Sequence, residues 1–226
     1  MIKLTEPTEP FISKLIPPNY STWQTIELTY QCAKWVIDNN IPGNFVECGV
    51  AAGNNLAAMC KAGRFGYGFD SFEGIPWAGE NDTQQPGIGE IDKSKLGLLE
   101  SSGITIHTEE NVHADFKKYG IENYQLVKGW FQNTLPETLS KWSDRFNFSI
   151  SVLRLDGDLY DSTYISLLYL YPLLSDGGIL IIDDWNLEGC RKAFDDYFKP
   201  TIMGEYFRRV PMPTMVYDNG VTYWQK

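Results

Sequence analysis

The chain has 226 residues, a length that suits one domain, and 43% of them are hydrophobic and 14% aromatic. This composition supplies a sizeable core and excludes a mainly disordered chain. The formal net charge of −10 opposes contact with nucleic-acid phosphates and anionic membranes, so we expect neither partner.

The cysteines and the N-terminal sequence bear on whether the protein binds zinc, is secreted or spans a membrane. The four cysteines form no Cys-x-x-Cys pair and only two histidines accompany them, so we do not expect a structural zinc site. We interpret the cysteines as buried, reduced thiols of a cytoplasmic protein. The N-terminal sequence MIKLTEPTEPF lacks the apolar run of a signal peptide, and no stretch supplies the roughly 20 apolar residues of a membrane helix.

In chain order, residues 1–20 hold four prolines and are predicted to form an arm without regular structure. A helix capped by Ser21 or Thr22 is predicted to run to about Asn39. Strands and helices then alternate. The predicted strands are 44–48, 66–70, 124–128, 149–155 and 178–182, and the predicted helices are 54–62, 109–119, 136–142, 162–174 and 187–198.

Two segments interrupt this alternation. Residues 73–108 are rich in Gly, Pro, Asn and Gln, and we expect a substrate-side loop, either a functional lid or disordered. Two strand-like runs, 205–210 and 214–224, are predicted to pair as a hairpin around Pro211–Pro213. The pattern predicts a single α/β domain over residues 1–226, with a Rossmann-like, mainly parallel seven-stranded sheet, a C-terminal antiparallel hairpin and helices on both faces.

A glycine turn follows the first predicted strand. Glu47, Gly49 and Gly53 lie in the sequence ECGVAAG, where glycines let the backbone approach a ligand at the carboxyl ends of the strands. The GxxxG spacing differs from the GxGxxG of NAD-binding folds. Asp70 ends the next strand and is placed to accept hydrogen bonds from ribose hydroxyls, while Glu47 suits the cationic methionine end of S-adenosylmethionine (SAM). A purely structural turn, with Asp70 as a turn or capping residue, is the alternative.

Acidic residues follow two later strands. Asp156 and Asp158 come after the apolar run 149–155, and Asp183 and Asp184 after 178–182. Carboxylates that converge at one sheet edge repel each other unless a cation or a shared proton compensates. Oxygen ligands select a hard ion such as Mg²⁺, with Ca²⁺ or Mn²⁺ as alternatives. Helix-capping aspartates are the competing interpretation.

Five segments together resemble one family. They are VECGV at 46–50, FDSFEGIP at 69–76, KGWFQNTLP at 128–136, LRLDGDLY at 153–160 and GGILIIDD at 177–184. In their order and their residues these segments are similar to the macrocin O-methyltransferase (TylF-like) family, and the resemblance runs from about residue 20 to residue 200. It implies a class I methyltransferase that transfers methyl from SAM to a sugar hydroxyl of a glycan, nucleotide sugar or glycosylated natural product.

The resemblance also implies roles for individual residues and an oligomeric enzyme. Asp156, Asp183 and Asp184 would hold Mg²⁺, and Asp156 or Asp158 would be the catalytic base. A homo-oligomer is expected. The residues implied to contact SAM are Glu47, Gly49, Gly53, Asp70, Ser71, Gly129, Trp130, Phe131 and Asp156.

Two other functions stay open from the sequence. One is an NAD-dependent oxidoreductase on a similar fold, against which the GxxxG spacing counts. The other is a non-catalytic SAM-binding protein, against which the aspartates at 156, 183 and 184 count.

Overall fold

The computed structural model describes residues 7–15, 21–143, 148–198, 216–218 and 221–226. Helices and strands alternate along most of this length. The helices are α1 (Trp23–Asp38), α2 (Asn54–Ala62), α3 (Glu109–Tyr119), α4 (Phe131–Ser143), α5 (Tyr160–Leu170) and α6 (Glu188–Phe198). The strands are β1 (Asn44–Cys48), β2 (Gly66–Asp70), β3 (Tyr124–Lys128), β4 (Ile150–Leu155), β5 (Leu174–Ile182), β6 (Val216–Asp218) and β7 (Val221–Gln225).

The strands form one sheet in the order β3-β2-β1-β4-β5-β7-β6. Strands β1 to β5 pair in parallel, and β7 runs antiparallel to both β5 and β6. The predicted α/β class, mainly parallel sheet and antiparallel C-terminal pair are confirmed. Among the described residues, six strands have five or more residues and β6 has only three. The sheet thus has six full strands and a short edge strand rather than seven comparable ones.

The C-terminal hairpin differs from its predicted form. Strand β6 and all but the last residue of β7 lie within 214–224, the run predicted as a single strand. The pair Asn219-Gly220 in the sequence, typical of a two-residue hairpin turn, is the signal that separates them. The other predicted strand, 205–210, and the predicted turn at Pro211–Pro213 lie outside the described residues.

Hydrophobic cores lie on both faces of the sheet. Alternate residues of each strand point to opposite faces, so that Phe45 and Val152 pack with α1, α2 and α3, whereas Val46 and Leu153 pack with α4, α5 and α6. All six residues of β4 are buried, as expected for a central strand covered on both sides. The four cysteines are buried and free, as predicted. Within the described residues, no helix is both long and apolar enough to cross a membrane.

The N-terminal arm packs on its own chain. A short 3-10 helix spans Ile12–Lys14, where no regular structure was predicted. The side chains of Ile12 and Leu15 are buried in the core beside α1 and α2. The Thr8 hydroxyl donates to Glu27 of α1 over 2.6 Å. The described part of the arm therefore belongs to the core of the domain.

Helix α4 begins five residues earlier than predicted. The prediction started it at Pro136, a residue that is common in the first turn of helices. The helix instead starts at Phe131 and carries Pro136 in its interior. Residues 131 and 132, which line the cavity described below, therefore lie in the first turn of a helix.

The loop between β2 and α3, residues 71–108, is ordered and has a small core of its own. Ile75 and Ala78 are buried against Leu159. The buried Gln85 side chain accepts from the Ala78 N–H at 2.7 Å and donates to the Pro76 carbonyl at 3.1 Å. These contacts fold the loop onto the start of α5.

Asp82 fastens this loop to the helix that follows β4. Its Oδ1 accepts from the Tyr160 N–H at 2.8 Å, and its Oδ2 accepts from the Gly79 N–H at 2.9 Å. The residue before α5, Leu159, supplies no side-chain cap. Asp82 therefore satisfies an amide at the start of α5 that a local capping residue ordinarily satisfies.

We predict that Asp82→Ala destabilises the protein by about 1 kcal/mol, the usual cost of a lost helix cap, and exposes the loop to protease. Urea unfolding and limited proteolysis measure the two effects. The matched control is Asp92→Ala, because Asp92 is an exposed loop residue whose carboxylate accepts from the nearby Ser94 of the same loop. Equal effects of the two substitutions would contradict the capping role.

Candidate active site

One cavity of about 240 Å³ lies outside the carboxyl ends of β1, β2, β4 and β5. This is where open parallel sheets bind ligands. Nine of the residues singled out from the sequence line it, namely Gly49, Asp70, Ser71, Trp130, Phe131, Asp156, Asp158, Asp183 and Asp184. Predictions made separately for a cofactor turn and for an acidic cluster therefore converge on one place.

The glycine turn and Asp70 form a single hydrogen-bonded unit. Asp70 Oδ2 accepts from the N–H groups of Val50 and Ala51 at 2.8 and 2.9 Å, and Oδ1 accepts from the Phe72 N–H at 2.7 Å. Burial raises the pKa of Asp70, while these three hydrogen bonds act in the opposite direction. A carboxylate has about four lone-pair sites, so Asp70 keeps capacity to accept from a bound ligand.

Gly49 is required by close contact as well as by backbone conformation. Its φ is +91°, and a Cβ at this position would lie 1.6 Å from the Asp156 carbonyl oxygen. Any other residue would therefore clash with the backbone just after β4. The turn after β1 and the start of the acidic segment are in direct contact.

Gly53 and Gly129, both predicted to contact the cofactor, do not line the cavity. Gly53 precedes α2 with a φ of +81°, and a Cβ there would meet Phe116 at 2.6 Å and Val112 at 2.9 Å. Gly53 therefore lets α3 pack close to the turn. Gly129 donates its N–H to the Asp70 carbonyl at 2.8 Å and precedes the lining residues Trp130 and Phe131.

Arg154 is a residue of the site to which the sequence pattern gave no role. It is fully buried, and its guanidinium donates to Glu47 Oε1 at 2.9 Å, Asp156 Oδ2 at 2.6 Å and Asp183 Oδ1 at 2.6 Å. Its three partners come from β1 and from the ends of β4 and β5. A charged residue in the otherwise apolar strand LRL was the available signal, since a buried charge requires partners.

Glu47, predicted to contact the cofactor, is buried behind the cavity. It is the register partner of Arg154 in the neighbouring strand, only 1% exposed, and outside the wall of the cavity. Burial raises the pKa of Glu47 to about 8, and Arg154 opposes that shift. With one guanidinium facing three carboxylates, the most buried acid favours its protonated form near neutral pH.

A second cluster of three carboxylates lines the cavity and shares Asp156 with the ion-pair cluster. Carboxylate oxygens of Asp156, Asp158 and Asp184 lie within 4.8 Å of one another. Asp158 has a left-handed backbone, with φ +60°, and its N–H donates to Asp184 Oδ2 at 2.9 Å. Burial raises the pKa of both Asp158 and Asp184, and the neighbouring carboxylates raise it further.

The membership of this cluster differs from the predicted metal set. The cluster includes Asp158, which was not in that set, and not Asp183, whose Oδ1 accepts from Arg154 at 2.6 Å. Burial raises the pKa of Asp183 to about 6, against the effect of Arg154. Asp183 thus serves the buried ion-pair cluster and lines the cavity from that side.

Comparison with known proteins distinguishes between the enzyme classes that the sequence left open. The chain matches the family described as macrocin-O-methyltransferase (TylF) over residues 24–226. The chain belongs to this family.

Related sequences agree with the family. Demethyldecarbamoylnovobiocin O-methyltransferase of Streptomyces niveus is 35% identical over 211 residues, which cover 89% of this chain and 72% of the relative. The 8-demethyl-8-(2,3-dimethoxy-alpha-L-rhamnosyl)-tetracenomycin-C 4'-O-methyltransferase of Streptomyces olivaceus is 35% identical over 175 residues, 74% of this chain. The chain spans 62% of the length of that second relative.

A solved structure is also similar. The O-methyltransferase NovP superposes with a TM-score of 0.71 at 31% identity, covering 93% of this chain and 84% of NovP. The resemblance to the TylF family, the methyltransferase fold and the prediction of an O-methyltransferase are confirmed, in place of an NAD-dependent oxidoreductase.

We predict that Arg154→Met destabilises this methyltransferase by about 3–5 kcal/mol, because it leaves buried carboxylates without their cation. Urea unfolding measures the loss. Glu47→Gln is the matched control, since the amide oxygen still accepts from Arg154 while one buried acid is removed. A loss for Arg154→Met no larger than that for Glu47→Gln would contradict a cluster held by the guanidinium.

The raised pKa of Glu47 also predicts that the stability of the protein depends on pH. Its pKa is about 8 in the folded protein, against an ordinary value of 4.5, so between these values the folded state holds a proton that the unfolded state has released. Raising the pH from 4.5 to 8 should therefore lower the free energy of unfolding of the wild type relative to Glu47→Gln. Parallel stability profiles of the two proteins over this range would contradict the assignment.

Proposed function

We propose that this enzyme transfers a methyl group from SAM to a hydroxyl group of a sugar, with a divalent cation such as Mg²⁺ held by Asp156, Asp158 and Asp184. One observation carries the proposal. The glycine turn with Asp70 and the carboxylate cluster line the same cavity, so a cofactor and an acceptor bound to them are neighbours.

The turn after β1 supports the part of the proposal that assigns SAM as the methyl donor. Gly49 lines the cavity, and Asp70 and Ser71 lie at the end of the neighbouring strand, where ribose hydroxyls would be recognised. Trp130 and Phe131 add aromatic wall for the adenine. We assign Glu47, Gly53 and Gly129 to the support of this wall rather than to cofactor contact.

The residues at the carboxylate cluster fit a hard cation. Three carboxylates converge within 4.8 Å, and Arg154 contacts only Asp156 among them. Asp158 and Asp184 thus add negative charge that the buried guanidinium does not pair, and oxygen donors of this kind suit Mg²⁺ or Ca²⁺. Asp183 supports the set indirectly, since it shares Arg154 with Asp156.

For methyl transfer, the protein must position the acceptor hydroxyl against the methyl donor, activate this hydroxyl and accept its proton. A bound divalent cation would lower the pKa of a coordinated sugar hydroxyl. Asp156 or Asp158 accepts the proton that the hydroxyl loses. The turn at Gly49 and the segment at Asp156 touch each other, which holds the methyl donor and the acceptor in fixed relative positions.

The sugar acceptor is supported by the relatives. The name of the Streptomyces olivaceus enzyme places its methyl group on a rhamnosyl unit, and that of the Streptomyces niveus enzyme refers to a novobiocin precursor. We carry over the sugar hydroxyl as the acceptor class. A cytoplasmic location and a homo-oligomer stay predictions from the sequence and the family.

We predict that Asp158→Asn and Asp184→Asn each lower methyl transfer by about 10²-fold or more, abolish Mg²⁺ binding and leave binding of S-adenosylhomocysteine (SAH) within a fewfold of wild type. Mass spectrometry of rhamnosides incubated with SAM and Mg²⁺ reports the transfer, and calorimetry reports both binding events. Asp195→Asn, an exposed carboxylate on α6, is the matched control and should behave as wild type.

Removal of the metal gives an independent check. Excess EDTA should stop transfer by the wild-type enzyme, and Mg²⁺ should restore it. Full activity in EDTA would eliminate the metal role while leaving the methyltransferase assignment intact. Failure to bind SAH would count against the cofactor half.

A further inference from the structure

A second cavity of about 270 Å³ opens beside the first. It lies between the loop 71–108 and the start of α5, and Pro76, Gln132 and Ser162 line both cavities. A molecule that extends beyond the carboxylate cluster along this shared wall enters the second cavity. The second cavity is therefore placed to receive whatever is attached to the sugar at the reaction centre.

The walls of the second cavity are aromatic and apolar on two sides. Trp77 and Leu99 come from the loop, and Tyr164 and Ile165 come from α5. The ammonium group of Lys95 lies 4.0 Å from the centre of the Trp77 ring, so one face of the indole is already covered. Leu99 is 38% exposed and extends this apolar wall towards solvent.

A carboxylate stands in the same cavity. Asp161 belongs to its lining, and burial raises the pKa of this residue. A Cβ on Gly79 would lie 2.8 Å from Asp161 Oδ2, so the glycine leaves room for the carboxylate. Asp82 lies close by, and its charge and that of Asp161 repel each other. Negative charge at this position disfavours an anionic group such as a diphosphate.

We propose that the second cavity is an acceptor subsite for the group attached to the methylated sugar, and that it selects an uncharged group with an apolar face over the diphosphate of a nucleotide sugar. The inference rests on the proposed function and deepens it. It assigns the acceptor to glycosides with a neutral apolar or aromatic attachment, with Trp77 and Asp161 as the residues that determine specificity.

Three probes that share a sugar test the subsite. Methyl α-L-rhamnoside carries only a methyl group at the anomeric position, 4-nitrophenyl α-L-rhamnoside carries a neutral aromatic ring, and TDP-rhamnose carries a diphosphate. We expect kcat/KM for the aryl glycoside to exceed that for the methyl glycoside by about tenfold, from burial and ring contacts. TDP-rhamnose should be no better than the methyl glycoside.

Two variants locate the effect. Trp77→Ala should lower the aryl-to-methyl ratio of kcat/KM about tenfold, mainly by raising KM for the aryl glycoside. Trp35→Ala is the matched control, because Trp35 is a 39% exposed tryptophan on α1 outside both cavity linings, and it should leave the ratio unchanged. Asp161→Asn should raise kcat/KM for TDP-rhamnose severalfold and hardly change that for the aryl glycoside.

Calorimetric titration of the SAH-loaded protein with the aryl glycoside separates this inference from the proposed function. Binding that Trp77→Ala weakens and Trp35→Ala does not supports the subsite, even if none of the probes is methylated, in which case the sugar-acceptor proposal fails. Methylation of all probes with an unchanged ratio in Trp77→Ala overturns the subsite alone. A preference of the wild type for TDP-rhamnose also overturns it.

Discussion

A single buried guanidinium holds together the strand ends on which the active site is built. Arg154 of β4 pairs with Glu47 of β1, with Asp156 at the end of its own strand and with Asp183 at the end of β5. A buried ion pair gains little net stability, since desolvation offsets the attraction, but its loss leaves uncompensated charge. The arrangement therefore fixes the relative positions of three strand ends more than it adds to the free energy of folding. Asp156 then reaches from this buried cluster to the carboxylates at the surface of the cavity.

Much of the fold follows from the pattern of the sequence. The predicted bounds of helix α2 and of strands β2 and β3 agree with the structure. The spacing of apolar residues indicates which side of an element is buried, and glycines mark where the element ends. The glycine turn and the acids after β4 and β5 were also readable. In a parallel sheet, residues that end neighbouring strands meet at one edge regardless of their distance along the chain.

Where the structure differs from the predictions, the cause is a three-dimensional contact that a sequence pattern does not contain. The pairing of Arg154 with Glu47 depends on strand register, and one charge in LRL gives no indication of its partner. The position of Asp158 beside Asp184 depends on a left-handed backbone and on a contact between residues 26 positions apart, which no local pattern shows. Glu47 reads as a cofactor ligand in the turn sequence, yet the alternation of β1 buries it beneath the cavity. The loop 71–108 gave no periodic signal, because its small core is built from long-range contacts with α5.

The contact between Gly49 and the Asp156 carbonyl has a consequence for how such an enzyme can change. Because the contact is made by a backbone carbonyl, it excludes a side chain at position 49 whatever residue occupies position 156. The loop between β2 and α3 is held by its small core against Leu159 and by the hydrogen bond from the first amide of α5 to Asp82. Residues of this loop that line only the second cavity, such as Trp77 and Leu99, take part in neither of these attachments. Their side chains can therefore change the acceptor range while the loop stays packed on the same scaffold.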